Sequence, residues 1–262
     1  MNRTLTYKFF IIFWLEIRGF LVTLGNIGQD FSRVLKYILT FKIKFREVID
    51  QAKRFSYDSL PISLSIVGMT SAIIAMQLAP ELAKQGAGDY TGMLSSLVMV
   101  RELAVVMSGF AIISMVGSSF ASEIASMSVT EQINAMKVLH VDPVEYLIVP
   151  RFVAGFVSMP MVFIVSALFG IVCAGIVSNW TAGLSILNYV TSLWHGLYIR
   201  DIFIAILKSA FFGGTIALIS CSCGYAARGG AKEVGMATTK AVVWSFLAIA
   251  MWDFIFAAIF YL

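Results

Sequence analysis

The chain is short of charge. Asp, Glu, Lys and Arg make up 13% of its 262 residues, while 59% are hydrophobic. A soluble domain carries roughly 25% charged residues, so this chain has too little polar surface to cover a water-soluble globule. That excludes an ordinary cytosolic enzyme and a disordered chain, and points to an integral membrane protein. Cysteine is scarce as well. Cys173, Cys221 and Cys223 all sit in apolar runs, which excludes a secreted disulfide scaffold and reads as small buried side chains. His140 and His195 are the only histidines, and the Cys221-Ser222-Cys223 spacing is no zinc pattern, so no metal site is expected. A nucleotide-binding loop is missing too. Gly229-Gly230-Ala231-Lys232-Glu233 has neither the P-loop spacing nor its Ser or Thr after Lys. Any ATP must therefore be held by another chain, and no cofactor is expected in this one. No serine, cysteine or metal catalytic set is visible, and Glu123 and Asp253 read as lone carboxylates, so an enzyme is not expected. Nor does an aromatic-basic module for nucleic acid accompany the positive charge.

What the chain has instead is long uncharged runs. Residues 59–80, 103–122, 152–199 and 209–227 carry no Asp, Glu, Lys or Arg, and a C-terminal run from Ala241 is broken only by Asp253. A membrane helix needs about 20 mostly apolar residues. The pattern predicts five spans, at about Leu60–Leu82, Thr91–Glu123, Tyr146–Val177, Ile199–Gly224 and Met236–Leu262. Pro61 suits a first helical turn and Pro160 predicts a kink in the third span. The fold class is therefore all-α and polytopic, with residues 1–58 as a basic, interfacial head and 59–262 as the five-span domain.

The head has its own period. Phe20, Leu24, Ile27, Phe31, Val34, Leu35 and Ile38 recur at steps of three and four, with Gln29, Asp30, Arg33 and Lys36 opposite. That predicts an amphipathic helix lying in the membrane interface, or one packed on a partner. Phe9 to Leu15 is apolar, but Glu16 and Arg18 follow at once and no small-residue cleavage site appears, so this segment is expected to be retained. Ten of the 19 Lys and Arg lie at or before Arg54, including the stretch Lys42, Lys44, Arg46, Lys53 and Arg54. With the N-terminus in the cytoplasm, five spans leave the C-terminus outside. Lys137, Arg151, Arg228, Lys232 and Lys240 then fall inside, against Lys84 and Arg200 outside, as the positive-inside rule requires.

Four ionisable residues, Arg101, Glu102, Lys208 and Asp253, fall within the apolar spans. Counted from the outer ends they share a layer roughly 15 Å deep, two of each sign, and such charges are paired or line a cavity. Lys208 and Asp253 are expected to pair between spans four and five. Arg101 and Glu102 point about 100° apart on a helix. Either both tie helices together, or one faces a lipid cavity, where a guanidinium suits a phosphate. Ser209, Gly213, Ala217 and Cys221 on span four, and Ser114, Ser118 and Ser122 on span two, place small residues at four-residue steps. Such faces serve helix packing within the subunit, the preferred reading, or a homodimer seam. Met69, Ile73, Met76, Leu78, Met93, Leu97 and Val100 offer an apolar wall for a lipid tail or plain packing. Between spans two and three, Ser126 to Val149 reads as a short cytoplasmic helix, about residues 126–140. Thr130 would cap it and Asp142-Pro143 would end it.

Several blocks together resemble the MlaE (YrbE-type) permease family. They are Arg101-Glu102-Leu103, Val116-Gly117-Ser118, Glu123, Met127, Val129-Thr130-Glu131-Gln132-Ile133-Asn134-Ala135, Asp142-Pro143, Tyr146-Leu147 and Val149-Pro150-Arg151. Further on come Lys208, Phe212-Gly213, Cys223-Gly224, Gly229-Gly230-Ala231, Val234-Gly235 and Ala237-Thr238-Thr239, with Gly68-Met69 and Gln77 in span one. The resemblance covers about residues 60–255. Ala104-Val105, Ile113-Ser114-Met115 and Ser122-Glu123-Ile124-Ala125 depart from the family pattern, and Met115 stands where an arginine is usual.

The resemblance implies a permease subunit of an ABC transporter that moves phospholipids between the inner and outer membranes of diderm bacteria. Two copies would enclose a lipid cavity open toward the periplasm, lined by Arg101, Glu102, Met69, Ile73, Met76, Leu78 and Leu97. A cytoplasmic ATPase in two copies, with ATP and Mg, would dock through Glu131, Gln132, Ala135, Met136, Val138 and Leu139. A hexameric MCE-domain protein would sit on the outer face, and some systems add a STAS-domain protein. The rival readings are an ion-coupled secondary transporter using the charged layer and an intramembrane enzyme acting on lipid. A secondary transporter commonly shows inverted repeats, and this chain shows none.

Overall fold

The computed structural model describes residues 2–40 and 45–261, with the side chains of all of these except residues 2–17 and 20. Lys42, Lys44 and the Phe20 side chain lie outside the described residues. Eight helices follow one another: α1 (Asn2–Leu39), α2 (Phe45–Lys84), α3 (Gly88–Val129), α4 (Gln132–Val138), α5 (Val144–Ala182), α6 (Ile186–Gly196), α7 (Ile199–Tyr225) and α8 (Ala231–Tyr261). No strand occurs among the described residues. Of the eight, α2, α3, α5, α7 and α8 are long and apolar enough to cross a membrane, in the five places where the uncharged runs predict spans. The chain is a polytopic all-α protein. Its crossing helices alternate in direction, so α3 ends and α5 begins at the face that carries α4, and α6 lies at the opposite face.

Pro61 occupies the first helical turn of the apolar part of α2, where its missing N–H is harmless, and α5 remains helical through Pro160. α7 is the most enclosed crossing helix. Its Ser209, Gly213, Ala217 and Cys221 are all buried, so this stripe packs within the subunit. At its centre α5 and α7 touch backbone to backbone. A Cβ on Gly213 would stand 2.1 Å from the Gly155 carbonyl oxygen, and one on Gly155 would stand 2.5 Å from that of Gly213. Close approach of this kind gains dispersion contacts that a lipid environment cannot supply by the hydrophobic effect. The serine stripe of α3 does not pack in this way. Ser114 is exposed, and Ser114, Ser118 and Ser122 each donate to carbonyls of their own helix, which satisfies the hydroxyls without a neighbour.

From residue 21 onward α1 is amphipathic as its period predicts, but its protein-facing stripe is narrower and rotated. Ile27, Asp30, Val34, Tyr37 and Ile38 turn toward the bundle, while Leu24, Phe31 and Leu35 remain exposed. Asp30, expected on the polar side, is 6% exposed. The exposed apolar residues are those a lipid interface would cover. Tyr37 Oη donates to Asp142 Oδ2 at 2.6 Å, fastening α1 to the turn before α5. That hydrogen bond, aided by burial, pushes the Tyr37 phenol up to about 12.

Two substitutions separate close approach from mere flexibility. Gly213→Ala sets a methyl against the fixed Gly155 backbone and should destabilise the bundle by about 1–3 kcal/mol, lowering the thermal midpoint in detergent. Gly235→Ala on α8 meets nothing within 4 Å and should leave that midpoint unchanged or raise it.

Candidate functional site

Ionic contacts within the membrane-crossing helices centre on Lys208. Its side chain is fully buried on α7. Nζ donates to Glu102 Oε2 at 2.6 Å and to the Arg101 carbonyl at 3.2 Å, and it also contacts Asp253 Oδ1 on α8. Two hydrogen bonds and a second carboxylate thus surround the ammonium, as a charge removed from water requires. The Arg101 carbonyl lies within a π-helical turn of α3 at Met99–Leu103, where the ordinary backbone ladder is interrupted.

The same turn explains how adjacent Arg101 and Glu102 both serve α7. A wider turn rotates less per residue, and the two side chains part along the α7 axis. Arg101 Nη2 donates to Asp201 Oδ2 at 2.9 Å, and its guanidinium carbon stands 4.6 Å from the centre of the Tyr261 ring. Asp201 lies seven residues before Lys208, on the same face of α7 and roughly 10 Å along the axis. Asp201 is 95% buried at its side chain and is absent from the sequence-based set. Its signal was available in the two-turn spacing to Lys208. With it the ionic network of these helices holds two cations and three carboxylates, one more carboxylate than the four residues expected from sequence, and it extends from the Lys208 level toward the start of α7. Arg101 is accordingly engaged by Asp201 and Tyr261 and ties helices together. Glu102 is the more open member, with its side chain 37% exposed.

The apolar wall residues divide. Met69, Ile73 and Met76 form one exposed stripe on α2, spaced by four and three residues, facing away from the bundle. Leu78 and Leu97 are half-buried. Val100 lies in the core, and Met93 packs against Gly196 of α6, so neither belongs to an open wall. The helix α6 was not foreseen, although 48 uncharged residues from 152 to 199 are more than one span needs. It lies along the far end of the bundle, with Tyr189 buried and Ile186, Leu187, Val190 and Trp194 exposed.

At the opposite end, α3 stops at Val129 and an elbow follows. Glu131 adopts φ 62°, in the left-handed region that side chains other than glycine seldom enter, and its carboxylate accepts from the Asn134 amide. Thr130 does not cap the next helix; its hydroxyl returns to the Ser126 carbonyl. The helix α4 is therefore short, Gln132–Val138, not 126–140. Asp142 does not end it either. Asp142 Oδ1 accepts the Val144 N–H at 2.9 Å and so caps the start of α5. Glu131, Gln132, Ala135, Val138 and Leu139 are exposed, with Val138 at 77% and Leu139 at 74%. Met136 instead packs inward beside the buried Ile133. Glu123 is not a lone carboxylate. It accepts from Arg54 at 3.1 Å and pairs with the buried Arg151 at 3.0 Å, joining α2, α3 and α5 just above the elbow.

The residues of this bundle match the family described as Permease MlaE from residue 48 to residue 259. The chain belongs to the MlaE permease family. A Probable ABC transporter permease protein of Synechocystis sp. is 35% identical over 223 residues, 85% of each chain. The chloroplast protein TRIGALACTOSYLDIACYLGLYCEROL 1 of Arabidopsis thaliana is 33% identical over 234 residues, 89% of this chain and 66% of its own. A Probable ABC transporter permease protein of Pyropia yezoensis is 30% identical over 241 residues, 92% of each. The chain is a transporter permease subunit.

The charge cluster of this permease makes a stability prediction. Lys208→Ala leaves Glu102 and Asp253 facing each other without their cation and should cost about 3–5 kcal/mol, read as a large drop in thermal midpoint. Lys208→Met combined with Glu102→Gln and Asp253→Asn should recover much of that loss, because no buried charge is then left unpaired.

Proposed function

We propose that this chain is the membrane subunit of an ABC transporter that moves phospholipid between the inner and outer membranes. The observation that carries the reading is α4. A short helix with bare Val138 and Leu139 stands on the basic face of a permease whose sequence has no nucleotide-binding loop. Exposed apolar side chains beside charged ones suit docking to a soluble partner, and the partner that supplies energy to an ABC permease is its ATPase. Two copies of the ATPase would each engage one α4 and bring ATP and Mg.

Two copies of the permease would enclose the lipid path. The outward stripe of Met69, Ile73 and Met76, which nothing covers within one subunit, supports an apolar wall between copies, and half-open Glu102 supports a polar group at its side. The basic residues cluster at the α4 end, which supports a topology with that end and the N-terminus in the cytoplasm and the C-terminus in the periplasm of a bacterial inner membrane. The far end, with α6, would meet the hexameric MCE-domain protein, and a STAS-domain protein would join on the ATPase in those systems that have one. A secondary transporter or a lipid-modifying enzyme would have no use for α4.

Copurification from native membranes tests this. Replacing Val138 and Leu139 together with Asp should strip the ATPase from the tagged permease and abolish ATP-dependent lipid movement, with the permease's own thermal midpoint unchanged. An undiminished ATPase complex in that variant refutes docking through α4.

A further inference from the structure

A second polar site lies at the basic end, away from the Lys208 cluster. Between α1 and the last turn of α7 is a cavity of about 310 Å³, lined by Asn26, Gln29, Asp30, Arg33, Ser222 and Arg228 among others. Its walls are unlike a plain packing defect. Asp30 is 94% buried, yet no lysine or arginine nitrogen among the described residues comes within 4.0 Å of its carboxylate. Burial pushes that carboxyl up, the Ser222 hydroxyl and more weakly Arg33 oppose the rise, and Asp142 adds to it. A buried carboxylate without a cation is a costly arrangement, and this one lines a cavity. At the rim stand two guanidinium groups, Arg33 and Arg228, both on exposed residues.

The position of the cavity fixes what can reach it. Ser222 and Tyr225 belong to the final turn of a membrane-crossing helix, so the cavity lies at headgroup depth. On the outer flank of α1, Leu24, Phe31 and Leu35 are bare and offer an apolar surface to acyl chains. The polar lining asks for a ligand with a cation at one end and an anion a few bonds away. An ammonium would supply the charge Asp30 lacks, and a phosphate suits the forked donors of two arginines.

We propose that this cavity holds the headgroup of an aminophospholipid, a phosphoethanolamine, with its ammonium on Asp30 and its phosphate between Arg33 and Arg228. The site is separate from the Lys208 cluster, because Ser222 lies 14 residues further along α7, roughly 20 Å toward the basic end. It would moor α1 to the bundle through a lipid of the basic-side leaflet.

Native mass spectrometry of the intact assembly, delipidated and then titrated, tests this with three probes. These are dioleoyl phosphatidylethanolamine, dioleoyl phosphatidylglycerol and soluble phosphoethanolamine. The intact protein should bind the ethanolamine lipid about tenfold more tightly than the glycerol lipid, a difference of one charge-assisted contact. Asp30→Asn should erase that preference while keeping the glycerol lipid. Arg33→Gln with Arg228→Gln should weaken both lipids by about tenfold. Equal binding of the two lipids by the intact protein overturns the proposal, as does a preference that survives Asp30→Asn. Displacement of lipid by soluble phosphoethanolamine at matched concentration overturns the membrane source of the ligand. If Asp30→Asn does not fold, the surface arginine pair decides alone, and undiminished ethanolamine-lipid binding there is equally fatal.

Discussion

An ammonium group held without water is the constraint on which the middle of this bundle depends. Lys208 has no exposed surface, so each of its protons must find an acceptor in the protein. Its partners come from two helices other than its own: the Arg101 carbonyl and Glu102 of α3 accept its hydrogen bonds, and the Asp253 carboxylate stands against it from α8. Satisfying one side chain therefore fixes three crossing helices against each other. The constraint reaches into local backbone structure as well. The π-helical turn at Met99–Leu103 includes the carbonyl that Lys208 uses, and two adjacent charged side chains on it reach a common neighbour. Two turns away on α7, Asp201 takes Arg101 in the same network. In a membrane, where helices gain little by hiding apolar surface from lipid, such polar ties and close glycine contacts decide which faces meet.

Much of the fold was legible because the membrane imposes a simple rule on sequence. Each uncharged run long enough to cross produced a crossing helix, and the small-residue stripe from Ser209 to Cys221 marked the buried face of α7. The misses have a common physical origin. Hydropathy measures cost of burial and is blind to what lies beside a residue. It hid α6 inside a long apolar run, and it set Asp30 on the polar side of α1 although tertiary packing buries it. It left Asp201 out because that residue stands near a helix end, where charge is unremarkable. The capping rule failed at Thr130, whose hydroxyl returns to the Ser126 carbonyl, while Asp142, expected to end a helix, instead caps the start of α5.

The candidate sites lie at the two ends of a single element. Its membrane half, α3 carries Arg101 and Glu102 into the charge cluster. Toward the basic face it carries Glu123, which gathers Arg54 of α2 and Arg151 of α5, and then gives way at the Glu131 elbow to α4. A push on α4 thus arrives where three helices are already tied by one carboxylate. Under the proposed function, this is the route by which a cytoplasmic motor acts on a lipid path that contains no motor chemistry of its own. The departures from the family pattern lie along the same helix. Met115, where an arginine is usual, is partly exposed on the side of α3 that carries the unpacked serine stripe. The outward side of α3 is therefore less charged than the family pattern implies, while the inward side keeps its ionic ties.

The central claim is that lipid movement through this chain is powered by ATP hydrolysed on a partner. Its most direct measurement is phospholipid transfer from proteoliposomes that contain the purified assembly and a fluorescent phospholipid, with no ion gradient imposed. The account predicts transfer that requires ATP and stops when the ATPase subunit is left out of the reconstitution. Transfer by the permease alone, driven by an ion gradient and indifferent to ATP, would contradict it.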